Sequence, residues 1–156
     1  MSGKGCRSCP SGRLRRRLLL GLVSLPVLAR SPRPAAASDT ASVDLAELAT
    51  PWSAVKFSLD VDGDEQPGIV LRLPDGGWYA SSLVCPHAKC TILYMRDPAA
   101  ASNTFDVDVK TPVLGCPCHF SVFDPARHGE VIKGPAPSPP LQLRVETQDN
   151  KVLIKR

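Results

Sequence analysis

The sequence predicts an all-β fold, a small antiparallel sandwich carrying two loops rich in cysteine and histidine. Three observations predict it. Short runs that alternate apolar and polar residues recur from residue 54 to the C-terminus, the period-two signature of strands with one buried face. The 16 prolines and 11 glycines supply turn signals between many of these runs. Beyond residue 37, no stretch keeps a 3.6-residue apolar period long enough for a long amphipathic helix. The 156 residues suffice for one modest domain with one core.

The elements follow in order. SDTASVDLAELAT (38–50) reads as a linker with one short helical turn. AVKFSLDV (54–61) alternates well. GIVLRL (68–73) and GWYASSLV (77–84) are joined by Pro74-Asp75-Gly76, a turn signal. TILYM (91–95), TFDVDV (104–109), PVLG (112–115), SVFD (121–124) and GEVIKG (129–134) are the next strands. LQLRVET (141–147) and KVLIKR (151–156) form a closing hairpin across Gln148-Asp149-Asn150. The sequence has no internal repeat and no glycine-rich phosphate loop.

The formal charge of +4 hides an asymmetry. Residues 1–37 hold Lys4, Arg7, Arg13, Arg15, Arg16, Arg17, Arg30 and Arg33, which is 8 of the 19 basic residues, and no Asp or Glu. The other 119 residues carry 11 basic and 15 acidic side chains. A mildly acidic body argues against nucleic-acid binding.

The basic segment reads as an export signal. An apolar run from Leu18 to Ala29 follows the basic start, and Ala35-Ala36-Ala37 offers an A-x-A cleavage site before Ser38. As a helix this run would span roughly 18 Å, against a hydrocarbon core of about 30 Å. It is too short for a membrane anchor. Arg15-Arg16-Arg17-Leu18-Leu19 resembles the bacterial twin-arginine signal, with leucine where that signal favours phenylalanine. The expected location is the periplasm. Membrane association would come only through a partner or an uncleaved signal. Cys6 and Cys9 lie upstream of the cut and would leave with the signal.

Four cysteines then remain: Cys85, Cys90, Cys116 and Cys118. An even number in an exported protein suggests disulfides, yet histidines are interleaved with these. CPHAKC (85–90) and CPCH (116–119) each follow a predicted strand, so each lies on a loop. Cys85 and His87 from one loop, with Cys116 and His119 from the other, offer two sulfur and two nitrogen ligands. Cys90 and Cys118 are left over, one per loop, and can pair to tie the loops together.

CPHAKC and CPCHFS resemble the signature of the Rieske iron–sulfur proteins, C-x-H-x2-C followed by C-x-C-H-x-S. The resemblance is carried by residues 84–143. It implies a Rieske-type sandwich over 51–156 with two cluster-binding loops. It also implies one [2Fe–2S] cluster per chain, one iron held by two cysteines and the other by two histidines. The resemblance assigns Cys85 and Cys116 to the first iron, and His87 and His119 to the second. In the respiratory branch of the family the two remaining cysteines are bridged, which implies a Cys90–Cys118 disulfide. KGPAPSPP (133–140) resembles the proline-rich loop that covers the cluster, placing Gly134, Pro135, Ala136 and Pro137 there.

Three departures stand out. The 28 residues between His87 and Cys116 are more than the family usually has, which places a surface insertion at 96–111. Phe120 stands where many members have glycine. Phe123 stands where quinol-oxidising members carry a tyrosine that hydrogen-bonds a ligand sulfur. CPCHFSVFDP is more like the small subunit of arsenite oxidase, whereas GPAP is more like the cytochrome bc1 type.

The resemblance implies one-electron transfer, and no substrate site is evident. Two thiolates with neutral imidazoles leave the oxidised core uncharged, whereas four thiolates leave it doubly negative. Reduction is therefore easier, at about −150 to +300 mV against about −400 mV for plant-type ferredoxins. Ser121 is placed to donate to a cluster sulfur and raise the potential, and Phe123 cannot add the second such bond. The expected role is the small subunit of an arsenite-oxidase-like molybdenum enzyme. The alternative is the Rieske subunit of a quinol–cytochrome c oxidoreductase. Expected redox partners are a molybdenum large subunit or cytochrome b and c components, with a cytochrome c or copper protein as acceptor.

Other chemistries fit less well. A Cys2His2 zinc site would use four of these residues but leave the two matched spare cysteines unexplained. A c-type haem needs C-x-x-C-H, and Cys6-x-x-Cys9 is followed by Pro10. No supporting set accompanies a cysteine nucleophile beside His119. His128 reads as a solvated turn residue, and Trp52 and Trp78 as packing residues.

Overall fold

The computed structural model describes residues 40–156. The export signal read over 1–37, with Cys6, Cys9 and the cut before Ser38, lies outside the described residues. Among the described residues, ten strands form three antiparallel sheets, accompanied by one short α-helix and two 3-10 turns.

Strand β1 (Thr40–Asp44) pairs with β10 (Lys151–Lys155), and β10 pairs with β9 (Arg144–Gln148). This terminal sheet corrects the linker expected over 38–50. Val43 and Leu48 of that segment are buried, and a 3-10 turn covers Leu45–Leu48. An alternating S-V-D run is too short to be read as a strand without the β10 edge beside it.

Strands β2 (Ala54–Val61), β3 (Asp64–Arg72) and β4 (Trp78–Ser82) form the middle sheet. Asp62 and Gly63 have φ of 58° and 88°, the paired positive values of a type I′ hairpin turn. The Asp60 carboxylate accepts from the Gly63 N–H at 2.7 Å and fixes that turn. This hairpin extends β3 four residues ahead of the expected start at 68. Asp149 and Asn150 close β9–β10 with φ of 47° and 64°, which fits the predicted closing hairpin.

The middle sheet is buried on both faces. Ile69 and Leu71 enter one apolar cluster with Leu114 and Phe123. Val70 enters another with Val43, Leu59, Val152 and Ile154. Alternation sends successive side chains to opposite faces, so a strand covered on both sides reads as the unbroken run Ile69-Val70-Leu71.

Strands β5 (Leu93–Met95), β6 (Val113–Cys116), β7 (Ser121–Asp124) and β8 (Glu130–Lys133) form a four-stranded sheet. Helix α1 (Pro98–Phe105) lies between β5 and β6 in sequence. It corrects the strand expected over 104–109. Asp97 caps it by accepting the Ala99 N–H at 2.9 Å, and Pro98 takes the first helical position. The insertion is also not merely superficial. Ala101 and Phe105 are buried against Val113 and Val122 in a third apolar cluster.

Candidate metal centre

Two loops of matching design project from the sheets. The first runs from Cys85 to Cys90 and is closed by the bridge Val84↔Thr91. The second is the tip of the β6–β7 hairpin, where Cys116 faces Ser121. In each loop the cysteine carbonyl accepts from the N–H four residues on. Lys89 N–H reaches Cys85 O at 2.8 Å, and Phe120 N–H reaches Cys116 O at 3.0 Å. These are α-turns. The donating residues have φ of 56° (Lys89) and 58° (Phe120). The left-handed conformation explains why glycine suits position 120, since a side chain there costs about 1–2 kcal/mol.

Cys90 and Cys118 form a disulfide with Cα atoms 6.5 Å apart, joining the two loops. The other two cysteines, Cys85 and Cys116, are free thiols and each 1% exposed. Burial pushes the Cys85 thiol up, while the backbone N–H groups of His87 and Ala88 pull it down by hydrogen-bonding its sulfur; the Cys116 thiol beside it pushes it up again. His87 and His119 are exposed, with ring centroids 4.7 Å apart and ring planes at 87°. The two loops thus hold a buried sulfur pair and an exposed imidazole pair.

This arrangement can be tested against the groups it could hold. Among the described residues, one set of three candidate donors lies mutually within 4.8 Å, namely Cys90, Cys116 and Cys118. Two of those sulfurs are bonded to each other. Cys85, His87, Cys116 and His119 therefore do not converge as the corners of one zinc tetrahedron, which brings every ligand within about 2.0–2.3 Å of the ion. A two-iron cluster, with a sulfur-bound and a nitrogen-bound iron, suits two separate pairs.

The surroundings are equally specific. Ser121 is fully buried, and its Oγ accepts the Ala136 N–H at 3.1 Å. Phe123 is fully buried in the cluster that also contains Cys85 and Cys116. The proline-rich loop begins at Gly134, with φ of 94°. A Cβ at Gly134 would lie 2.7 Å from Ser121 N and 2.8 Å from Phe120 O. Glycine lets this loop cross the second loop in direct backbone contact. Pro135 and Pro137 are exposed, and Ala136 packs inward.

A model of the Rieske [2Fe–2S] domain matches residues 51–149. The chain belongs to the Rieske family. A Rieske domain carries a [2Fe–2S] cluster and transfers electrons, and the two loops described above supply donors of the required kinds. The Rieske chain is 34% identical over 76 residues to the chloroplastic cytochrome b6-f complex iron–sulfur subunit of Bigelowiella natans, covering 49% of this chain and 24% of that one. It is 30% identical over 112 residues to the cytochrome b6-f complex iron–sulfur subunit of Gloeobacter violaceus, covering 70% and 52%. The chain thus spans from about a quarter to about half the length of these relatives. A quaternary ammonium Rieske monooxygenase shares the fold, with a TM-score of 0.52 at 21% identity over 76% of this chain and 31% of that one.

Other expected positions are also located. His128 is exposed at the end of the 3-10 turn Pro125–Arg127, with φ of 54°. Trp52 packs against the cluster containing Cys85, and Trp78 packs against the opposite one with Arg72 stacked on its ring at 4.4 Å. The sequence reading missed Phe105 and Lys133, which touch the second loop and lead into the third. The Asp97-Pro98 pair, a capping residue followed by a helix-starting proline, was the signal that could have revealed the helix that carries Phe105.

Proposed function

We propose that this chain is the Rieske electron carrier of a quinol-oxidising cytochrome complex of the bc1 or b6-f type. The observation that carries the reading is the likeness to cytochrome b6-f iron–sulfur subunits. The inter-loop disulfide is a mark of the respiratory branch, to which both this reading and the arsenite-oxidase-type one belong. The arsenite-oxidase-type role, placed first on the sequence CPCHFSVFDP, has no comparable support and takes second place.

In this reading Cys85 and Cys116 would hold one iron, and His87 and His119 would hold the other. A cluster held there would supply one-electron transfer. The protein's own groups set the terms of that exchange. Both thiols are buried, so the sulfur end is shielded from water. Both imidazoles are exposed and offer the edge through which a partner is met. Ser121 and the backbone N–H groups at Cys85 favour the more negative, reduced state. The disulfide keeps the first and second loops together, and Gly134 to Pro137 cover the second.

Residues 1–37 act in this reading as a twin-arginine signal that delivers the chain to the periplasm. The disulfide agrees, because such bonds persist in oxidising compartments. No helix among the described residues is long and apolar enough to cross a membrane. Replacing Arg15, Arg16 and Arg17 together with lysine should retain the precursor in the cytoplasm; normal export of that variant overturns the twin-arginine route.

Purification from native membranes tests the main reading. The expected companions are b- and c-type haem subunits, with quinol-dependent reduction of a centre having the low average g value of mixed N/S ligation. Co-purification with a stoichiometric molybdenum subunit and no haem b would return the arsenite-oxidase-type reading to first place. Stoichiometric zinc without iron or acid-labile sulfide would overturn both.

A further inference from the structure

Helix α1 grips the second loop from the face opposite Cys116 and Phe123. The Phe105 ring fills the space that a side chain at Gly115 would need. Gly115 immediately precedes Cys116. The same ring meets Phe120 edge-on, with centroids 6.1 Å apart and planes at 71°. Phe120 is the left-handed residue whose N–H closes the turn onto Cys116 O. It is also 49% exposed.

A second tie runs to the proline-rich loop. Asp106 ends the helix in the left-handed conformation. Its backbone carbonyl accepts a hydrogen bond from Lys133 Nζ, and its carboxylate pairs with the same ammonium at 3.1 Å. Lys133 immediately precedes Gly134, where the third loop crosses Ser121. One end of one helix therefore contacts both loops at the residues where each begins to turn.

We propose that α1 is a positioning element for the metal centre, with Phe105 and Lys133 as its positioning residues. Phe105 sets the second loop, which carries Cys116 and His119. Lys133 sets the start of the third loop. This rests on the Rieske reading of the site. The insertion thus replaces a short connection between the ligand loops with a buttress against one of them.

The test uses the full-length loaded protein in four forms: wild type, F105A, F105L and K133M. Hydrogen–deuterium exchange is read on peptides covering 116–121, 134–137 and, as a reference, 151–155 in β10. F105A should speed exchange at 116–121 roughly ten-fold with the reference unchanged, as for a local opening rather than global unfolding. Its reduction potential and g values should shift, and F105L should restore both. K133M should speed exchange at 134–137 alone. Uniform acceleration of all three peptides in F105A, or an unchanged potential and unchanged exchange at 116–121, would show that α1 only packs. If F105A fails to accumulate, K133M decides: unchanged exchange at 134–137 overturns the proposal. Wild-type protein purified without iron would overturn the cluster reading of the site instead, and the exchange comparison would still be read on it.

Discussion

Ser121 carries two duties on one hydroxyl. Its oxygen accepts the Ala136 N–H at 3.1 Å, which leaves its own proton to donate. Ser121→Ala should therefore do two things. It should lower the midpoint potential by about 30–60 mV, taking about 59 mV per 1.4 kcal/mol for one electron and a net hydrogen bond of about 1 kcal/mol. It should also free the Ala136 amide to exchange faster. An unchanged potential with faster exchange at Ala136 would leave Ser121 as a loop anchor only. Phe123→Tyr should raise the potential by a similar amount, because the buried ring lies in the cluster containing Cys85 and Cys116. Film voltammetry of the two variants reads both signs. Tyr94 gives a separate test by pH. Its hydroxyl donates to Trp52 O at 2.9 Å, and burial pushes its pKa up to about 12. The fold thus favours the neutral phenol. That contribution is complete below the unfolded pKa near 10, and it is lost as pH rises from there through about 12. Tyr94→Phe should cost about 1 kcal/mol at neutral pH and should flatten this alkaline loss in chemical denaturation.

At the level of elements, the turns decide where the loops go. Gly134 has φ of 94° and lies in backbone contact with Ser121. Gly134→Ala should therefore destabilise by about 1–3 kcal/mol, through strain and a backbone clash that no rotamer relieves. Urea denaturation measures the cost, and faster exchange at Ala136 would localise it to the third loop. A variant as stable as wild type, with Ala136 still protected, would mean that the loop has room to shift. Strand Ala54–Val61 was legible because alternation survives where one face is buried. The segment 104–109 misled for the same reason. Phe105, Val107 and Val109 alternate in sequence, yet Phe105 ends a helix and Val107 lies beyond it. Two-residue spacing in an irregular stretch can put side chains on one side without forming a strand, and all three meet the same apolar cluster.

Among the described residues, three sheets enclose three apolar clusters; the first ligand loop connects the middle sheet to the four-stranded one, and the second is a hairpin tip within the latter. The Cys90–Cys118 bridge links loops 28 residues apart in sequence. Removing it with Cys90→Ser should cost about 2–4 kcal/mol, chiefly by freeing the unfolded chain. Cluster loss at fixed temperature should be faster in that variant, while the mixed N/S spectrum of the protein that remains loaded should be unchanged. Denaturation with and without reductant, compared between wild type and variant, separates the bridge from any packing effect of the substitution. Equal stability in all four conditions would show that the bridge does not restrain folding.

The sequence by itself determined the family-defining chemistry. Cys85, His87, Cys116 and His119 lie in two short boxes whose spacing is set within each loop, so no long-range information was needed to read them. The proline-rich loop and most strands were legible on the same local grounds. Only the tertiary structure decided what the linker and the insertion do. Thr40–Asp44 becomes a strand because β10, more than a hundred residues away in sequence, offers it an edge. Phe105 comes to pack against the second loop because Gly115 leaves room for its ring and Phe120 leans against it. Those contacts depend on partners distant in sequence, and a local pattern carries no record of a partner that folding alone brings near.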